Sequence, residues 1–151
     1  MWYNQIENIM SKKFSIEPAA YQAMEALENI LKNSGLDERH YHLIKIRASQ
    51  INGCAYCINM HTKDARDLGE TEQRIYALNA WRETPFFSPE ERAMLAITEN
   101  ITYIQHGMDD KVLEEAEKVL DRHTISKVIM AAVGINAWNR IGIGMGMQPA
   151  L

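Results

Sequence analysis

The chain has 151 residues, 46% of them hydrophobic, and its sixteen Lys and Arg against twenty Asp and Glu leave a net charge of −4. That length buries enough surface for one core and argues against a second, so a single domain over residues 1–151 is expected. With the basic residues scattered and outnumbered, nothing favours a phosphate backbone, and no nucleic-acid partner is expected.

Residues 1 to 16 show no clear period and read as an N-terminal arm in which Ile6, Ile9, Met10 and Phe14 can dock as a short helix. The opening Met1-Trp2-Tyr3-Asn4-Gln5-Ile6-Glu7 has no basic stretch and no long apolar run. No secretory leader is expected, and the chain is assigned to the cytoplasm. Glu17-Pro18 then opens a helix, because proline suits the first helical position. Tyr21, Met24, Leu27, Ile30 and Leu31 form its apolar seam before Gly35 stops it.

Asp37 is a good N-cap for a second helix over roughly 38–52. Its Leu43, Ile44, Ile46, Ala48 and Ile51 leave little polar surface, so this helix should be central. His42, Ile46 and Ser49 share one of its faces. Asn52-Gly53 is a stop signal, and a third helix follows as far as Leu68-Gly69. Thr71 caps a fourth helix running through Trp81. Ser88-Pro89-Glu90-Glu91 starts a fifth that runs to about Gln105, with a Ser cap, proline at the first position and Glu at the third.

Asp109 or Asp110 begins an amphipathic sixth helix ending near His123. Thr124 caps a last one from Ile125 to about Met145, whose Ala131, Ala132, Gly134, Gly142 and Gly144 allow neighbouring backbones to approach closely. The longest apolar run, Val128 to Ile135, falls far short of the ~18 to 20 residues of a membrane span, so no membrane partner is expected. No alternating strand pattern occurs. The expected fold is all-α, a bundle of about six or seven helices.

The chemistry gathers in Ser49-Gln50-Ile51-Asn52-Gly53-Cys54-Ala55-Tyr56-Cys57-Ile58-Asn59-Met60-His61, which holds both cysteines. Positions 54, 57, 58, 61, 65 and 68 share one helical face, whereas Asn59, Lys63, Asp64, Arg66 and Asp67 mostly face away. A cysteine in the first turn of a helix meets unpaired N–H groups and the positive end of the dipole, which lowers a thiol pKa from ~8.5 toward ~7 or below. Cys57 and His61, four residues apart, can touch, so the imidazole can take or relay the thiol proton. Cys54 stands near enough to close a disulfide once Cys57 or Cys54 is oxidised.

In a reducing compartment such a pair means redox chemistry or metal, and the rival reading is two small core hydrophobes. Zinc would need a further ligand from His42, His106 or His123, and there is no second cysteine pair. No bound metal or cofactor is therefore expected. Ser49, Asn52 and Tyr56 are expected to shape the wall of the site.

The stretch from Arg47 to His61 resembles the alkylhydroperoxidase D-like members of the carboxymuconolactone decarboxylase superfamily. The likeness continues through Thr62-Lys63-Asp64-Ala65, Phe87-Ser88-Pro89-Glu90-Glu91-Arg92, Thr98-Glu99 and Ile135-Asn136-Ala137-Trp138-Asn139-Arg140. The resemblance implies an all-helical subunit assembling into trimers or hexamers, and reduction of a small hydroperoxide by a dithiol/disulfide couple. It further implies Cys57 as the peroxidatic thiol, Cys54 as the resolving thiol, and His61 in a proton relay. The helix dipole alone would favour Cys54, which is nearer the N-terminus.

The couple would be recharged by an external dithiol on a lipoyl-bearing or thioredoxin-like protein. The family's relay includes a glutamate twelve residues before the first cysteine, where this chain has His42. A histidine can shuttle protons near neutral pH but supplies no fixed negative charge, so Glu99, on another helix, is the candidate acid. The alternatives are lactone decarboxylation, the activity that names the superfamily, and a non-catalytic redox-sensing oligomer.

Overall fold

Glu17 and Pro18 begin the first helix as their chemistry dictates: the Glu17 carboxylate accepts from the Ala19 N–H, and proline occupies the position whose N–H needs no partner. In the computed structural model, residues 16–150 are described. All but the last residue of the expected arm over 1–16 lies outside them. The α-helices are α1 (Pro18–Lys32), α2 (Glu38–Asn52), α3 (Ala55–Asp67), α4 (Glu72–Tyr76), α5 (Pro89–Thr102), α6 (Asp110–Glu117) and α7 (Arg122–Gly144). Short 3-10 segments cover Leu78–Glu83 and Ile104–His106. No strand occurs among the described residues, and no helix there is long and apolar enough to cross a membrane.

Local chemistry sets most boundaries. Asp37 caps α2 by accepting from Arg39, and Ser88 with Glu91 makes a reciprocal capping box at the start of α5. Four expected elements differ, among them the fifth helix, which ends at Thr102 instead of running to about Gln105. The fourth helix stops at Tyr76 and continues as a 3-10 segment interrupted at Ala80, which places Leu78 and Trp81 in the core. The sixth ends at Glu117, six residues before His123. The last helix begins three residues earlier than expected: Asp121, not Thr124, is its N-cap and accepts from both the N–H and the hydroxyl of Thr124.

Helix α2 is central. It packs against α3, α5 and α7, and its successive residues feed two apolar clusters. Tyr41 and Ile44 join Leu31, Met94, Ile97 and Val128 in one, and Leu43 and Ile46 join Ala65, Leu78, Trp81 and Leu95 in the other. Each such fully buried aliphatic side chain contributes about 1.5–3 kcal/mol, so the helix shared by both clusters holds them together. On α1 the expected seam is narrower than the pattern suggests: Tyr21 and Leu31 are buried, but Ile30 is left 69% exposed.

The far end of α2 fixes where α3 begins. Gly53 adopts φ +71°, the left-handed conformation that closes a helix, and the Cys54 N–H reaches back to the Ser49 carbonyl at 3.0 Å. The turn is clamped from the side. Asn52 Nδ2 donates to the side-chain oxygens of Asn136 and Asn139 on α7, both at 2.9 Å, and Asn139 Nδ2 donates to the Ser49 hydroxyl at 2.9 Å. Asn136 in turn donates to Thr102 of α5. These amides lie under the core, where a broken partner costs about 1–3 kcal/mol, so the register of α2 against α7 is tightly specified.

A Cβ at Gly53 would meet nothing within 4 Å, so the cost of a side chain there is that of its backbone conformation alone. Gly53→Ala should lower unfolding stability by about 1–2 kcal/mol in urea titration, and Gly53→Asn by less, because asparagine tolerates left-handed backbone. Equal losses for the two variants would contradict this account.

Candidate functional site

The Gly53 turn delivers Cys54 to the N-cap of α3, where its sulfur accepts the Cys57 N–H at 3.4 Å. Cys57 is the third residue of the helix. The two Cα atoms are 5.3 Å apart, within the span a disulfide requires, and the two sulfurs are bonded to each other. Both cysteines are buried, yet not equivalently: Cys57 lines a cavity of about 650 Å³, and Cys54 does not. The residue the dipole alone favours is therefore the one sealed behind. What seals it is α7, which crosses at Gly142. A Cβ there would stand 3.1 Å from the Cys54 sulfur and 3.6 Å from that of Cys57.

His61 lines the same cavity one turn after Cys57, and His42 reaches it from α2, with the two ring centroids 5.5 Å apart. The Nδ1 atoms of both rings are buried and have no hydrogen-bond partner. Burial, reinforced by the neighbouring Lys45 and His42, pushes His61 well below the usual histidine pKa. Burial also lowers that of His42, with Asp64 opposing. Both imidazoles are therefore neutral near pH 7 and have lone pairs to offer.

The structure moves other residues into and out of this site. Asp64, expected to face away, is partly buried and lines the cavity beside the two histidines. Leu68, expected on the buried seam, is 39% exposed. On α2 it is Lys45 rather than Ile46 that accompanies His42, since Ile46 is committed to the apolar cluster. Tyr56 lines the cavity, whereas Ser49 and Asn52 belong to the amide clamp behind the cysteines.

Glu99 is not in the cavity lining. It accepts from Arg47 Nε at 2.8 Å, Trp81 Nε1 at 2.9 Å and Arg82 Nη1 at 2.6 Å, tying α5 to α2 and the 3-10 segment. Burial raises its pKa, but the bonds from Trp81, Arg47 and Arg82 prevail and hold the carboxyl below the ordinary glutamate range. An acid so fully engaged ties three elements together and stands apart from the cavity that holds the other candidate residues.

Among the acids that do line the cavity is Glu28 of α1, which no sequence motif marks. It accepts from the Tyr41 hydroxyl at 2.9 Å, from Trp138 Nε1 at 3.1 Å and from the Lys45 ammonium. Lys45 is almost wholly buried, and its ammonium lies 4.3 Å from the centroid of the Tyr41 ring. Burial lowers the Lys45 pKa while Glu28 opposes the shift. One cue pointed to this cluster: a lysine set between Ile44 and Ile46 in the middle of a helix expected to be central needs a buried partner.

Residues 18–100 match the profile of the Carboxymuconolactone decarboxylase family. An uncharacterized protein of Bacillus subtilis, YdfG, is 44% identical over 138 residues, covering 91% of this chain and 94% of its own. An alkyl hydroperoxide reductase AhpD of Mycobacteroides abscessus is 38% identical over 47 residues, covering 31% of this chain and 27% of its own. Among solved structures, a protein of unknown function from Agrobacterium tumefaciens, described as a candidate antioxidant-defence AhpD, superposes with a TM-score of 0.89. It is 39% identical, with 95% of this chain and 99% of that one covered.

Two outcomes follow from this packing. Gly142→Ala should lower the thermal midpoint of the oxidised protein, by about 1–3 kcal/mol of overpacking against the two sulfurs. Gly144→Ala, which meets nothing within 4 Å, should be neutral or slightly stabilising. Glu99→Gln should cost about 2–4 kcal/mol at neutral pH by leaving Arg47 short of its charge partner. Since the folded carboxyl titrates below its unfolded value near 4.3, its contribution is present above that pH and disappears as pH falls through the folded value. The stability difference between wild type and Glu99→Gln should shrink accordingly on acidification, as read by urea titrations between neutral pH and about pH 3.

Proposed function

The chain belongs to the carboxymuconolactone decarboxylase family as an AhpD-like member, and on that premise we propose that it reduces hydroperoxides with the Cys54/Cys57 couple. The observation that carries the reading is the joint placement of one sulfur of the pair, Cys57, and two buried, neutral, unpartnered imidazoles on the wall of a single cavity.

In the reduced protein, His61 accepts the Cys57 proton, and the thiolate attacks the O–O bond of the hydroperoxide. Cys57 becomes a sulfenic acid, and the alkoxide leaves as an alcohol after taking up that proton. The Cys54 thiol then attacks the sulfenic sulfur, forming the disulfide and releasing water. The Cys54–Cys57 spacing supports this step without movement of the helix. His42 is the second carrier on that proton's way from His61 to the alkoxide, and Asp64 of α3 beside it stabilises the imidazolium, supplying the negative charge that a glutamate at position 42 would have provided.

An external dithiol, of lipoyl or thioredoxin-like type, returns the couple to its reduced state. Met130, Val133 and Ile143, exposed along α7, support assembly into a homo-oligomer.

The reduced protein should consume about one equivalent of an organic hydroperoxide per chain and turn over when a dithiol is supplied. Cys57→Ser should abolish consumption. Cys54→Ser should leave a Cys57 sulfenic acid that a dimedone-type reagent traps. Loss of consumption in Cys54→Ser with retention in Cys57→Ser would reverse the roles. Consumption in neither form of the wild type, with turnover of a carboxymuconolactone by the double Cys→Ser variant, would replace the reading by the lyase one.

A further inference from the structure

The geometry points to a divalent-metal site formed by His42, His61 and Asp64, able to take a borderline ion such as Zn²⁺ at the wall of the cavity. One ring nitrogen of each histidine and a carboxylate oxygen of Asp64 all lie within 4.8 Å of one another. Two-histidine, one-carboxylate sets hold such ions with metal–ligand bonds of about 2.0–2.2 Å, so modest side-chain rotations bring the three ligands into place. His61 and Asp64 are spaced i, i+3 on α3, a spacing that puts both on one helical face, and His42 approaches from α2.

Two further observations favour a cation here. The two imidazoles are only 9% and 5% exposed, and each has a buried Nδ1 without a partner, an uncommon condition for buried polar atoms and one that an ion bound through that atom would relieve. The cavity is also acidic: Glu25, Glu28, Glu38, Asp64 and Asp67 line it against two ammonium groups, Lys32 and Lys45. Lys45, the cation that acts on both histidines, is already paired with Glu28, so its repulsion of a second cation is offset. Three protein ligands leave a fourth position open toward the cavity, as in sites that hold an exchangeable water.

Neither cysteine is required. This distinguishes the site from a cysteine-based zinc site and from the couple's own chemistry. Occupancy has a consequence that rests on the peroxide reading: a metal on the imidazole lone pairs leaves no base for the Cys57 thiol, so the ion would act as a reversible brake on peroxide reduction.

The test is calorimetric titration of Zn²⁺ into the full-length, chelator-stripped protein in its disulfide form, which keeps thiols out of the competition. One saturable site per chain is expected, weakened at least about tenfold in His42→Gln and in Asp64→Asn, with His106→Gln and His123→Gln unchanged. Thermal midpoints of the metal-free variants verify folding, and Co²⁺ should give the intense visible bands of tetrahedral coordination in the wild type. Absence of saturable binding, a weak octahedral Co²⁺ spectrum, or affinity indifferent to Asp64→Asn and His42→Gln in folded variants would overturn the site. Because none of these readouts uses peroxide, failure of the peroxidase reading leaves them intact; Zn²⁺ inhibition of wild-type peroxide reduction, reversed by a chelator and half-maximal at the calorimetric affinity, tests the link between the two.

Discussion

The αL turn at Gly53, held from the side by the amide of Asn52, is the constraint from which the site follows. It joins α2 to α3 through Gly53 and Cys54 alone, making Cys54 the N-cap and Cys57 the third residue of the new helix. Both sulfurs are thereby set at a helix N-terminus, where free N–H groups favour negative charge on sulfur. The register of the turn depends on α7 through Asn136 and Asn139, and the same helix covers the sulfurs at Gly142. One long helix thus fixes the turn and closes the back of the couple, which is why only one of the two cysteines faces the cavity.

Two glutamates, Glu99 buried and Glu28 half-buried, divide the remaining work. Each collects three donors from two other elements: Glu28 takes Tyr41, Lys45 and Trp138, and Glu99 takes Arg47, Arg82 and Trp81. A carboxylate can remain charged out of water only with such a set of partners, so each glutamate pins the elements that supply them. Glu28 fastens α1 to α2 and α7 and forms one wall of the cavity; Glu99 fastens α5 to the opposite side of α2. Their equal engagement and different locations separate a site wall from a structural tie.

Inside the cavity two tendencies oppose each other. The helix terminus favours a thiolate, while five carboxylates in the lining disfavour one and draw cations instead. On the proposed reading a neutral base beside Cys57 reconciles them, because the proton would leave the thiol when substrate arrives without a standing negative charge on sulfur. The two imidazoles, kept neutral by burial, are the proposed base, and they are also two of the three ligands of the inferred metal site. Under those two proposals proton transfer and metal capture would compete for the same pair of rings.

The sequence by itself determined the all-helical architecture, the caps at Asp37 and Ser88, the stop at Gly53, and the grouping of Cys54, Cys57 and His61 on one helix. Those features rest on interactions spanning a few residues, where spacing and capping chemistry are sufficient. The tertiary structure alone decided that Glu99 is a structural tie, that Glu28 and Asp64 line the cavity, that Lys45 is buried beside His42, and that Ile30 is left outside. It also decided that Leu78 and Trp81 reach the core through a broken helix. Each of these turns on partners far apart in the chain: Lys45 lies seventeen residues beyond Glu28, and Trp138 lies 110 beyond it. Local periodicity says which way a side chain leans, but which charge it meets is set only when helices distant in sequence pack together.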